Sequence, residues 1–208
     1  MTMAVPGPHL PVLRFCGLLA ANADQLAAAR RELSQWYGPI HHATDPIEFN
    51  FTEYYTPEMG PNLLRQWVRF TTLFSPDQLA RCKLETNMSE ILLARQLAAG
   101  VPRPVNIDPG YVTRSKVVLA STKDHGHRIY LEQGIYAEVT LHWTAAGWGF
   151  SPWTYADHKT ATAVKFFTEC RGYYFRRLQQ TMAIPNTEKL DRLEDVPTES
   201  ANPSPREN

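Results

Sequence analysis

Neither charge is in excess: 21 lysines and arginines are matched by 21 aspartates and glutamates in 208 residues. A neutral chain makes no global field to gather polyanions, which argues against nucleic acid as a partner. No apolar run approaches the roughly 18 residues of a membrane-spanning helix, so no membrane partner is expected. Cysteine is scarce. Cys16, Cys82 and Cys170 are far apart and odd in number, which is neither a disulfide framework nor a metal-ligand spacing. They read as buried thiols of a cytoplasmic protein. Also missing are the phosphate loop G-x-x-x-x-G-K-[ST], the dinucleotide turn G-x-G-x-x-G, the zinc helix H-E-x-x-H, a C-x-x-C pair and the nucleophile elbow G-x-S-x-G. These absences argue against a phosphate-loop nucleotide triphosphatase.

What is present is an ordinary globular balance, with 43% hydrophobic and 20% charged residues. The apolar stretch from Phe15 to Ala21 has only Arg14 as a preceding charge and follows Pro8 and Pro11, so it reads as a first strand rather than a signal core. Residues 1–11 are expected to be a flexible N-terminus, 12–182 a single domain, and 183–208 a disordered tail rich in Pro, Glu, Ser and Asn.

Local signals place the elements. Asn22 with Gln25 three residues on is a helix start; Leu26, Ala29, Leu33 and Trp36 recur at helical spacing, and Gly38-Pro39 stops the run. Ile47, Phe49 and Phe51 alternate as in a strand, and Gln66 to Phe74 reads as another. Ser75-Pro76-Asp77-Gln78 opens a helix to about Ala98, with a break expected near Thr86-Asn87. Tyr111 to Thr122 stays ambiguous between strand and helix. Arg128 to Trp143 is a hairpin around Glu132-Gln133-Gly134, pairing Leu131 with Ile135, Tyr130 with Tyr136 and Arg128 with Glu138. A last helix runs from about Lys159 to Gln180. The expected class is α+β, with a mixed, largely antiparallel sheet, helices on one side and a ferredoxin-like order in the N-terminal half.

Four polar segments stand out: Phe51 to Gly60, Lys83 to Asn87, Asn106 to Tyr111 and Thr122 to Tyr130. Each has a plain reading. Asp108-Pro109-Gly110 is first of all a turn. Glu53 and Glu58 read as solvated loop carboxylates, Arg128 with Glu138 as a cross-strand ion pair, and Trp153-Thr154-Tyr155 as a lid over the sheet edge. His125 and His127 lack an obvious third metal ligand. The functional reading is that the segments converge. Lys116, Lys123, His127 and Arg128 would then supply donors to an anion. Glu53, Glu58, Asp108 and Glu138, with His127, are the candidate acids and bases, and Glu53 and Asp108 the candidate ligands of a divalent metal such as Mg²⁺. Tyr55, Asn106, Lys123, Arg128, Tyr130 and Tyr136 are the candidate ligand-binding residues.

The same strings carry a resemblance. Phe51-Thr52-Glu53-Tyr54-Tyr55-Thr56-Pro57-Glu58-Met59-Gly60, Asn106-Ile107-Asp108-Pro109-Gly110-Tyr111, the stretch from Ser121 through Leu131 and Gly134 through Leu141, and Pro152-Trp153-Thr154-Tyr155 resemble, in order, the bacterial domain-of-unknown-function family numbered forty-four sixteen. The likeness spans roughly residues 12 to 180. Some members are labelled GTP-binding. This chain has neither the phosphate loop nor a guanine-reading motif, so no catalytic residue is carried over. The expectation is a protein that binds or acts on a small phosphorylated or other anionic ligand, such as a nucleotide with a divalent metal. The alternative is a non-catalytic interaction protein, with tryptophans forming a partner surface.

Overall fold

The computed structural model describes residues 7–182; the expectations for residues 1–6 and 183–208 lie outside the described residues. Strand β1 (Val12–Ala20) is buried along its whole length, because both faces of the sheet are covered. Its residues alternate. Cys16, Leu18 and Ala20 pack with helices α1 (Ala23–Tyr37) and α3 (Leu79–Leu97) in one core; Leu13 and Phe15 pack with α4 (Ala161–Met182) in another.

The remaining elements are β2 (Ile40–Ala43), β3 (Ile47–Phe49), a one-turn helix α2 (Thr56–Met59), β4 (Leu63–Phe74), β5 (Val105–Val112), β6 (Lys116–Ser121), β7 (Ile129–Glu132), β8 (Ile135–Thr144) and β9 (Gly147–Phe150). They form one sheet in the order β2-β4-β1-β5-β6-β8-β7, with β3 also on β4 and β9 also on β8. Every strand pair is antiparallel. The path β1-α1-β2-β4-α3-β5 with strand order β2-β4-β1-β5 is the ferredoxin-like arrangement, and its two long helices share one face. For the molecule as a whole, the one-sided layering is corrected. Phe15, Trp67, Val117 and Leu141 make the second face apolar, and α4 buries it.

Several local expectations hold. Asn22 Oδ1 accepts from Gln25 N at 3.0 Å, Gln25 Oε1 accepts from Ala21 N at 3.0 Å, and Gly38 at φ 80° ends α1. Others are corrected. Tyr37 rather than Trp36 is buried at the end of α1; its hydroxyl donates to Cys82 O at 3.2 Å. Phe51 lies beyond β3, exposed, and α3 runs through Thr86-Asn87 without a break. Tyr111–Thr122 resolves into the end of β5 and all of β6.

The largest local correction is Asp108-Pro109-Gly110, which is strand, not turn. Asp108 pairs with Gly17 of β1, Pro109 with Cys16 and Gly110 with Phe15. Gly110 is needed for space: a Cβ there would lie 2.4 Å from Val118 O and 2.6 Å from the Phe15 ring. Pairing with β6 begins only at Gly110, opposite Leu119. Pro109 has no N–H to extend that ladder, so the first half of β5 is unpaired with β6.

In the hairpin, Tyr130 does pair with Tyr136. The turn is shorter than expected. Gln133 (φ 50°) and Gly134 (φ 75°) form it, Glu132 pairs with Ile135, and Leu131 bulges out to restore the register.

Candidate functional site

The gap between β5 and β6 beyond Gly110 opens a cavity of about 110 Å³. One wall comes from the ferredoxin-like half. Arg65 extends from β4 and Lys83 from α3, while Arg103 precedes β5, which carries Asn106 and Asp108. The other wall comes from Ser121, Lys123, Arg128 and Glu138, with Tyr155 and His158 from the segment before α4 and Tyr54 and Tyr55 from the loop before α2.

On the first wall Lys83 is buried and donates to Ile107 O at 2.8 Å and to Asp108 Oδ1 at 3.4 Å. Arg65 Nη1 lies 3.6 Å from Asp108 Oδ2, and Arg65 Nε lies 2.8 Å from Asp157 Oδ2. Arg65 reaches across β1 because the position between is Gly17, where a Cβ would stand 3.0 Å from Nη1. Asn106 Nδ2 donates to Asp108 Oδ2 at 2.7 Å. Arg103 donates to Glu90 at 2.9 Å and to Asn106 Oδ1, and its Nη1 lies 3.4 Å from Glu58. Burial favours the neutral form of Asp108, but Lys83, Arg65 and Asn106 outweigh it and hold the carboxyl below its ordinary range. Asp157 is lowered further: burial opposes, and Arg65 and His158 prevail.

On the second wall the pair expected from the register forms. Arg128 Nε donates to Glu138 Oε2 at 2.7 Å, with side chains 2% and 1% exposed. Arg128 Nη1 donates to Ser121 Oγ at 2.7 Å and Lys123 O at 2.9 Å, and Nη2 to Tyr155 Oη at 2.7 Å. The Lys123 ammonium rests 3.9 Å over the Tyr54 ring. His158 Nδ1 lies 3.0 Å from Asp157 Oδ1.

Of the residues singled out from sequence, Tyr55, Asn106, Asp108, Lys123, Arg128 and Glu138 line this cavity. The others do not. Glu53 lines a separate recess and accepts from Thr56 Oγ1 at 2.7 Å. Glu58 is exposed beside Arg103, outside the cavity. His127 stands behind Glu138, 3.0 Å from Oε2, stacked on Trp153 with centroids 4.9 Å apart. Tyr130 and Tyr136 pack on each other at 5.4 Å, away from the lining, and Lys116 pairs with His142 at the opposite end of β6. The metal pair Glu53 and Asp108 is therefore not assembled, and Asp108 is already engaged by two cations and an amide. Among the described residues no group of three or more His, Cys, Asp or Glu could hold a metal ion.

Arg65, Arg103, Tyr155 and His158 were missing from the candidates, and Lys83 appeared only as part of a polar segment. One signal was available. Arg65, Trp67 and Arg69 alternate on one face of an otherwise apolar strand, and a buried cation in a strand needs a partner.

A family model described as Domain of unknown function (DUF4416) matches residues 10–174, and the chain belongs to that family. No curated protein and no solved structure matches the chain. Among the described residues no helix is long and apolar enough to cross a membrane.

Proposed function

We propose that this protein binds the anionic head group of a small ligand, with a phosphoryl group the best fit, in the cavity between β5 and β6. The observation that supports it is the lining: Arg65, Lys83, Arg103, Lys123 and Arg128 surround one space, against only Asp108 and Glu138. Asp157 and Glu90 balance Arg65 and Arg103 from outside that lining. Gathering cations in a partly desolvated space is costly without anions, and an incoming oxyanion offers several charge-assisted acceptors at once. The cavity is smaller than the roughly 300–1,000 Å³ that encloses a whole drug-sized ligand. It suits a head group, with the rest of the ligand lying over Tyr54, Tyr55 and Tyr155 at the mouth.

The test is calorimetric titration with inorganic phosphate, pyrophosphate, sugar phosphates and nucleotides, using the wild type and Lys123→Ala. Phosphorylated compounds should bind, and the variant should lose about tenfold in affinity, the size of one charge-assisted contact. Equal affinity in the two proteins, or no binding by any compound, would remove the reading.

The interaction-protein reading retains one observation in its favour. Ile129, Tyr130, Leu131, Val139, Phe150 and Trp153 are all exposed along the β7-β8-β9 region, with Ile129 at 73%. A protein partner seated there is compatible with an anion site elsewhere. Sedimentation of Ile129→Lys beside the wild type would test whether that region drives self-association.

A further inference from the structure

Not every polar group of the lining is a charged side chain. His158 is 3% exposed, and it is one of the residues that line the cavity. Nδ1 is committed to Asp157 Oδ1 at 3.0 Å, and the backbone N of His158 donates to the same oxygen at 3.0 Å. Among the described residues Nε2 has no hydrogen-bond partner. Two aromatic rings hold the imidazole: Phe167 of α4 stacks on it at 5.6 Å, and Trp67 of β4 stands perpendicular to it at 6.0 Å. A buried ring nitrogen left unpaired is costly, so what completes it matters.

We infer that His158 is the proton-carrying contact of the anion site, so that an oxyanion enters together with one proton shared with Nε2. This rests on the anion-binding reading above and adds the class of anion. With the Asp157 carboxylate accepting at Nδ1, a neutral imidazole carries its hydrogen there and presents a lone pair at Nε2. A lone pair facing an oxyanion is two acceptors in contact. In direct contact the clash is relieved in two ways. Either the ring gains a proton and donates from Nε2, or the ligand brings an O–H, as hydrogen phosphate and the monoanion of a phosphomonoester do. The site therefore favours oxyanions that carry a proton near neutral pH, and an anion without one must draw it from solvent onto the ring.

The charged and titratable groups around the ring come from several elements. Asp157 and Tyr155 flank it on its own segment, and Arg65 reaches Asp157 from β4. Asp108 of β5, Lys83 of α3, Arg128 just before β7 and Glu138 of β8 share the cavity lining.

Sulfate provides the test, because it holds no proton at neutral pH. Sodium sulfate would be titrated calorimetrically into the full chain at pH 7.5 and constant ionic strength, in buffers of different ionisation enthalpy. In the wild type the apparent enthalpy should change with buffer by about one proton per site. His158→Gln, which keeps a donor but cannot titrate, should bind with no buffer dependence. A ¹⁵N-imidazole spectrum of the wild type removes reliance on the variant's folding. Saturation with sulfate should move His158 Nε2 from the unprotonated to the protonated position. Sulfate that binds in a Lys123-dependent way with no proton uptake and no shift of Nε2 overturns this inference and leaves the anion site standing. Failure of both sulfate and phosphate to bind removes both.

Discussion

The two walls of the cavity hold their charges in different ways. On the ferredoxin-like wall the partners are shared. Asp108 meets Lys83 and Arg65, Arg65 also meets Asp157, and Arg103 is divided among Glu90, Asn106 and Glu58. On the hairpin wall a single oxygen, Glu138 Oε2, takes both Arg128 Nε and His127 Nε2. A shared network loses one contact at a time, whereas a single acceptor leaves its cation stranded. The walls should therefore respond differently to the same kind of truncation.

The largest effect expected is on the hairpin wall. Glu138→Ala leaves the Arg128 guanidinium, 2% exposed, without its carboxylate. Breaking a buried pair from one side costs about 3–5 kcal/mol, read as a lower midpoint in urea unfolding. A loss under about 1 kcal/mol would mean that Tyr155 and Ser121 suffice, and the contrast between the walls would disappear. Asp108→Ala should cost less, about 1–3 kcal/mol. Lys83 keeps Ile107 O and Arg65 keeps Asp157.

Acid should weaken the contacts of Asp108 and Asp157. Asp108 and Asp157 have folded-state pKa values below their unfolded ones. Such groups contribute stability that is complete above the unfolded value, near pH 4, and is lost as pH falls through the folded value. Urea midpoints measured at decreasing pH below about 5 should fall for the wild type, and less steeply for Asp157→Asn. Parallel curves would show that the carboxylate–Arg65 contact is not formed in solution. A smaller change tests how the first wall is built. Gly17→Ala puts a methyl 3.0 Å from Arg65 Nη1. It should cost about 1 kcal/mol or somewhat more as the guanidinium shifts off Asp108. Unchanged stability would mean that Arg65 does not lie across β1.

How much of this was legible follows from the same division. The ion pair of the hairpin wall and its Ser121 contact lie within one stretch of chain, Ser121 to Glu138, and alternation plus a Gly turn is enough to set Arg128 against Glu138. The ferredoxin-like wall is assembled from β4, α3 and the start of β5, and no local pattern relates Arg65 or Lys83 to Asp108. Strand order does that, and strand order is a long-range property. Asp108-Pro109-Gly110 misled because Pro and Gly serve turns more often than strands. Here Pro109 ends a ladder and Gly110 admits the Phe15 ring. Glu53 was selected for its neighbours in sequence, and the chain turns it into a different recess.

The smallest stability effect expected belongs to Lys123, and it separates folding from binding most cleanly. Lys123 is exposed, and its ammonium sits 3.9 Å over Tyr54, itself 58% exposed. Such a solvated cation–π contact is worth about 0.5–1 kcal/mol, and loss of side-chain restriction offsets part of it. Lys123→Ala should therefore shift stability by about 0.5 kcal/mol or less, while lowering affinity for a phosphorylated ligand about tenfold. Arg128→Ala should lower both, because four of its hydrogen bonds organise the wall itself. If Lys123→Ala destabilises the fold as much as Arg128→Ala does, Lys123 belongs to the structural network. The cation left to meet a ligand would then have to come from the ferredoxin-like wall, where Arg65 Nη1, among the described residues, has no hydrogen bond and only a 3.6 Å ion pair with Asp108.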